Sequence, residues 1–195
     1  MSQFELLFGF YGLLLGLGVA ELAGGFSRVY DRRSVERIGG LGPGLAALLI
    51  CDLLTFWLAA WRFRDWSMDY TLALAGSVIG LTYYFAASQV FPREGSAEPA
   101  EARAFSHRRV VVICLGGINL VVFVIPSIAR FSGSPSLGGG WNLAVNLIYI
   151  ALLAWIYFAR SQRRAALATW TTIPFLIFVG TNLELPFAAF IEELF

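Results

Sequence analysis

Residues 45–61 read LAALLICDLLTFWLAAW, an unbroken apolar run whose single ionisable side chain, Asp52, stands near its middle. The run does not alternate apolar and polar positions as a half-buried strand does, and it leaves no wide polar stripe of the kind a surface helix needs. Taken as 44–61, it approaches the roughly 20 residues that carry an α-helix across about 30 Å of hydrocarbon at about 1.5 Å per residue. Five more stretches share this character: 4–26, 70–91, 110–129, 141–159 and 165–186.

Composition agrees with lipid as the solvent. The chain is 58% hydrophobic and 14% charged, with a mean hydropathy of +0.71. Soluble domains carry about 45–50% apolar and about 25% charged residues. Strands of a membrane barrel would alternate over about 10 positions, and these runs do not. The expectation is an all-α, polytopic integral membrane protein, one transmembrane domain over 1–195 built as a bundle of six transmembrane helices.

Direction is read from the basic residues, all fourteen of them arginine. Arg28, Arg32, Arg33 and Arg37 follow the first run; Arg93, Arg103, Arg108 and Arg109 follow the third; Arg160, Arg163 and Arg164 follow the fifth. Only Arg62, Arg64 and Arg130 fall on the other side. The positive-inside rule then puts those three loops in the cytoplasm and both termini outside, on the periplasmic face of a cell inner membrane. Trp61, Trp66, Tyr70 and Trp141 fall at the outer interface, where amphipathic rings prefer to sit. Residues 92–107 are expected to form a cytoplasmic loop or a short surface helix. Gly42-Pro43-Gly44 should end one element and reset the chain for the next. The first run begins almost at once and carries Glu5 in place of a basic leader, so a cleavable signal peptide is not expected.

Shifting residues 45–62 by 98 positions aligns Leu45, Ala46, Leu49, Ile50, Leu54, Trp57 and Arg62 with identical residues in the fifth run. An inverted three-plus-three repeat produces this pattern, and so does chance resemblance between two apolar helices.

Asp52 is the sharpest chemical signal. An ionisable group at the bilayer centre costs about 2.5–3.5 kcal/mol on insertion scales, so it should face protein or water. It reads either as a proton- or cation-binding carboxylate or as a neutral acid hydrogen-bonded to a neighbouring helix. Asn119, beside Gly116 and Gly117, falls at the same depth on the fourth run and is its expected partner. Glu21, nearer the cytoplasmic end of the first run, is a further ion- or proton-binding candidate, though pairing with Arg28 is the plainer reading; Tyr83 and Tyr84 reach a similar depth on the third run and could hydrogen-bond this carboxylate. Asn142, Asn146 and Tyr149 share a helical face. With Asn182 and Glu184 on the sixth run they form a candidate polar cavity lining in the outer half. Ordinary interhelical hydrogen bonding explains the same residues. Pro126 and Pro174, the latter flanked by Thr171 and Thr172, imply kinks.

Two stripes of small residues, Gly12/Gly16/Ala20/Gly24 and Gly76/Gly80, suit close helix approach in lipid. Internal packing is the first expectation for both, and a homo-oligomer seam the second.

Several functions are excluded. With no lysine there is no Schiff base for retinal or pyridoxal phosphate. The single histidine, His107, argues against paired haem ligands or a His/Cys zinc site. Cys51 and Cys114 sit inside apolar runs as small hydrophobes. A net charge of +1 makes no case for nucleic acid. No nucleophile–base set, phosphate loop or TVGYG-type filter is present. The expectation is a non-enzyme with no cofactor and the lipid bilayer as its partner: a small cation or proton channel or transporter, or alternatively a non-transporting scaffold, sensor or accessory subunit.

Overall fold

The computed structural model describes residues 3–31, 39–60, 69–96, 98–133 and 137–182. It contains six helices long and apolar enough to cross a membrane, and no strand among the described residues. They are α1 (Gln3–Asp31), α2 (Leu41–Ala60), α3 (Tyr70–Val90), α4 (Ala100–Gly133), α5 (Leu137–Phe158) and α6 (Gln162–Asn182). The chain is a multi-pass membrane protein with an all-α bundle.

Several boundaries differ from expectation, two of them for a clear local reason. Gly42-Pro43-Gly44 does not break the chain but forms the first turn of α2. Proline is tolerated there because the N–H it lacks has no partner inside the helix. The glycines let neighbours close in: a Cβ on Gly44 would lie 3.2 Å from both Thr169 and Trp170. The Leu41 amide donates to both oxygens of Glu101, at 3.2 and 3.3 Å, an anion at the positive end of the α2 dipole. Trp170 Nε1 donates to the Gly40 carbonyl at 2.9 Å.

The second difference is α4, which starts at Ala100, so that residues 100–109 are its opening turns and neither a loop nor a separate surface helix. Ala, Glu and Arg are strong helix formers, and the tertiary contacts hold these turns in place. Arg103 Nε donates to the Phe91 carbonyl at 3.0 Å and its guanidinium pairs with Glu98 at 3.3 Å. Arg108, counted above with the exposed loop, is buried. Its guanidinium donates to the Ala159 carbonyl at 2.6 Å and to the Phe105 carbonyl, and stacks 3.9 Å from the Phe105 ring. Arg108 thus closes the C-terminal end of α5, where backbone carbonyls lack helical partners.

The helices form a closed circuit, α1 on α3, α3 on α4, α4 on α5, α5 on α6, α6 on α2 and α2 on α1, with α2 also crossing the interior to meet α3 and α4. Half of the α2 apolar window is buried against 17% for α1, so α2 is the core element. Leu41, Leu45, Leu48 and Leu49 pack with Val111, Leu115, Ile156, Ala165 and Ala168 in one apolar cluster. The pairings Gly25–Phe91, Leu41–Glu101 and Arg108–Ala159 gather one end of the bundle, here the basic end. Of the described arginines, Arg130 alone lies at the opposite end, with exposed Tyr70 and Trp141. Trp61 and Trp66 lie outside the described residues.

This packing is not an inverted repeat. α1 lies along α3, whereas α4 barely touches α6; α2 lies along α6, whereas α5 does not lie along α3.

The two glycine stripes have opposite fates. A Cβ on Gly76 would sit 2.0 Å from the Tyr11 ring and one on Gly80 2.8 Å from Leu14 Cβ, so the α3 stripe seats the bulk of α1. A Cβ on Gly12 or Gly16 would meet nothing within 4 Å. Internal packing is therefore wrong for the α1 stripe. α1 turns inward the face bearing Leu15, Leu22 and Val29, because close packing needs bulk on one helix opposite small residues on the other.

Candidate functional site

Asp52 is the twelfth residue of α2 and only 2% exposed. Tyr83 lies seven residues from the basic end of α3, a lower level than Asp52, which lies eleven from the basic end of α2. The gap is about 6 Å of helix rise. Side chains tilt toward the N-terminus of their own helix. Because α2 and α3 run in opposite directions, Asp52 tilts toward the basic end and Tyr83 away from it, and the two meet. The Tyr83 hydroxyl donates to Asp52 Oδ2 at 2.7 Å.

Asn119 completes the pairing from α4. Its Nδ2 donates to Asp52 Oδ1 and Oδ2, each at 3.1 Å, and to the Leu115 carbonyl at 3.0 Å. The expected Asp52–Asn119 contact is present. Tyr149 of α5 brings its buried hydroxyl close enough to interact with the carboxylate, though without a hydrogen bond of ordinary geometry. Side chains from four helices therefore converge on one carboxyl group.

Immediately beyond Asn119 the α-helical pattern of α4 gives way to a π turn, Leu120–Val124, in which the Ile125 amide donates to the Leu120 carbonyl. Pro126 is the cause. A proline inside a helix lacks an N–H and its ring clashes with the carbonyl four residues back, and a wider turn relieves the clash. The residues around this turn, Asn119, Val122, Phe123, Pro126, Ser127 and Arg130, form one wall of a cavity of about 280 Å³. Thr55, Leu58 and Ala59 of α2, Asn142, Val145, Asn146 and Tyr149 of α5, and residues 175–181 of α6 close it. The cavity thus occupies the half of the bundle away from the basic end, and Asn119 and Tyr149 form its floor. Asp52 lies behind them and does not line it.

Of the candidates drawn from the sequence, Asn142, Asn146, Tyr149 and Asn119 join the cavity. Asn146 Nδ2 donates to the Asn142 carbonyl at 2.8 Å and to Ser127 Oγ at 3.4 Å. Glu21 does not reach this site; it accepts from Arg28 at 3.4 Å. Tyr83 belongs to Asp52 and not to Glu21, and Tyr84 is exposed. Thr171 and Thr172 donate to carbonyls of their own helix and lie outside the cavity. The Asn182 side chain and Glu184 lie outside the described residues.

Sequence reading missed Tyr83 as the partner of Asp52, although depth and side-chain tilt carry that signal. It also passed over Arg130, Ser127 and Thr55 as cavity residues, which hydropathy alone does not mark. Comparison with known proteins lends no function to the arrangement, since no family model, curated protein or solved structure matches the chain.

Proposed function

We propose that the chain is a small proton-coupled transporter in which Asp52 takes up and releases the coupling proton. The observation that carries this reading is the cavity, which ends at the two polar side chains, Asn119 and Tyr149, that face Asp52. The arginine distribution supports an orientation with the cavity open to the outside and the termini there too. The other half of the interior is filled by side chains such as Leu45, Leu48, Val111 and Ile156, fully buried. A path blocked on one side suits a carrier that exposes its site alternately, more than a continuously open channel.

The coupling ion fits a proton better than a metal cation. Metal cations such as Ca²⁺ need several oxygen ligands with lone pairs aimed at the ion. Both oxygens of Asp52 instead accept from O–H and N–H donors. When Asp52 gains a proton, its new O–H needs an acceptor, and the neighbouring Tyr149 hydroxyl oxygen can supply one.

The test is flux in proteoliposomes under an imposed pH gradient. The wild-type chain should carry protons, and Asp52→Asn, which keeps the shape and cannot ionise, should abolish that flux while remaining folded. Equal flux in the variant would remove Asp52 from the mechanism.

A second reading is favoured by the hydrogen bonds themselves. Asp52 ties α2 to α3 through Tyr83 and to α4 through Asn119, as a structural pin in a scaffold or accessory subunit would. On that reading Asp52→Asn lowers stability and wild-type proteoliposomes carry no proton flux.

A further inference from the structure

The geometry points to the cavity as a binding site for a small amphiphilic anion, a carboxylate or phosphate group on an apolar body, anchored by Arg130. Among the described cavity residues Arg130 is the one charged side chain and none is a carboxylate. α4 runs from the basic end toward the mouth of the cavity. The Arg130 side chain therefore tilts back into the cavity, toward the N-terminus of its helix. A guanidinium there presents paired N–H donors to a planar or tetrahedral oxyanion, and it repels a cationic ligand.

Below Arg130 the wall is mainly apolar, with Val122, Phe123, Val145, Phe175, Leu176 and Val179. At the floor stands the buried Tyr149 hydroxyl, which makes no hydrogen bond of ordinary geometry. Charge at the mouth, apolar walls and a polar floor select a molecule with an anionic head and a short apolar body. The size is set by volume. At about 30 Å³ per water, the 280 Å³ cavity holds about nine waters, or a molecule with a similar number of non-hydrogen atoms, such as hexanoate. Arg130 lies eleven positions beyond Asn119 along α4, and with the arginine reaching back, about 10 Å remains between head and floor.

This proposal rests on the carrier reading and names its cargo: an organic anion entering with the proton that Asp52 holds. Binding is measured apart from flux, so the two can fail separately. The full chain, in nanodiscs of zwitterionic phosphatidylcholine, is titrated calorimetrically with hexanoate, hexanamide and hexylammonium. Hexanoate should bind at least about tenfold more tightly than either isostere. Arg130→Gln should erase that preference and Arg130→Lys should keep part of it. Val145→Phe, which fills the cavity, should remove binding from a folded protein. Asp52→Asn should still bind hexanoate while failing to carry protons.

Nanodiscs containing anionic phosphatidylglycerol separate the two sources of the anion. Competition with hexanoate assigns the site to a lipid phosphate, and unchanged binding assigns it to a free acid. Equal binding of the three isosteres, tighter binding of hexylammonium, no binding of any, or full binding by Arg130→Gln or Val145→Phe would overturn the proposal. Failed hexanoate binding with proton flux intact would overturn the anion and leave the carrier standing.

Discussion

The Tyr83 hydroxyl donates to Asp52 Oδ2 across 2.7 Å, joining the core helix α2 to α3 through two fully buried groups. Tyr83→Phe removes the donor and nothing else, leaving Asp52 with Asn119 as its one well-formed donor. A buried acceptor that loses a partner costs about 1–3 kcal/mol. The expected outcome is a loss of that order in detergent unfolding, with the helix content of the remaining folded protein unchanged by circular dichroism. An unaffected midpoint would show that the bond contributes nothing to stability.

Asp52 and Asn119 should be energetically coupled. Asp52→Leu alone leaves the Asn119 amide without its side-chain acceptor, and Asn119→Leu alone leaves an acid short of a donor. Removing both leaves neither group stranded, so the double variant should be more stable than the sum of the single losses predicts. Coupling within such networks runs at about 0.5–3 kcal/mol. The cycle is read from unfolding midpoints, and strict additivity would argue against a shared network.

Glycines on α1 and α3 should respond in opposite ways to the same change. At Gly80 an added Cβ meets Leu14 at 2.8 Å and at Gly76 the Tyr11 ring at 2.0 Å, and overpacking costs about 1–3 kcal/mol. Gly12→Ala and Gly16→Ala meet open space and should leave thermal stability equal or slightly raised. If instead the α1 pair lowers stability only at high protein-to-lipid ratio, that face is an oligomer seam.

Pro126→Ala should allow α4 to regain α-helical hydrogen bonding through Leu120–Val124. The return from a π to an α turn rotates the residues beyond it relative to Asn119, so the cavity wall is re-set. The check is labelling of Ser127→Cys by a small water-soluble maleimide, in a background with Cys51 and Cys114 replaced by Ala. Labelling should slow several-fold in the Pro126→Ala form while the protein unfolds no earlier.

Orientation is tested in the same cysteine-free background. Gly138→Cys, at the end of the bundle holding the cavity, should react with a membrane-impermeant maleimide in intact cells. Gly95→Cys, between α3 and α4, should react only after the membrane is opened. The reverse pattern would invert the topology drawn from the arginines.

How much was legible in the chain differs from residue to residue. Asp52 and Asn119 were paired from depth alone, because position along a span is countable and a midplane carboxylate must find a polar neighbour. Tyr83 was assigned to the wrong acid because depth along a span does not separate Glu21 from Asp52 as its partner; the opposed tilt of side chains on antiparallel helices brings it to Asp52. Arg108 was counted as loop charge, and its role at the end of α5 emerges only where α4 and α5 pack together.

The stretch 45–61 and its five counterparts determined by themselves that the chain lies in lipid, in six helices with one carboxylate near the middle. Span length and hydropathy belong to each segment separately, so no fold is needed to read them. Which face of each helix turns inward was decided only by the tertiary structure. That is why one glycine stripe is packed and the other open, why Glu21 stands apart, and why a cavity forms beside Pro126. Rotation about a helix axis leaves hydropathy unchanged; it is set by which side chains interlock with a neighbour, and in lipid that interlocking drives the assembly.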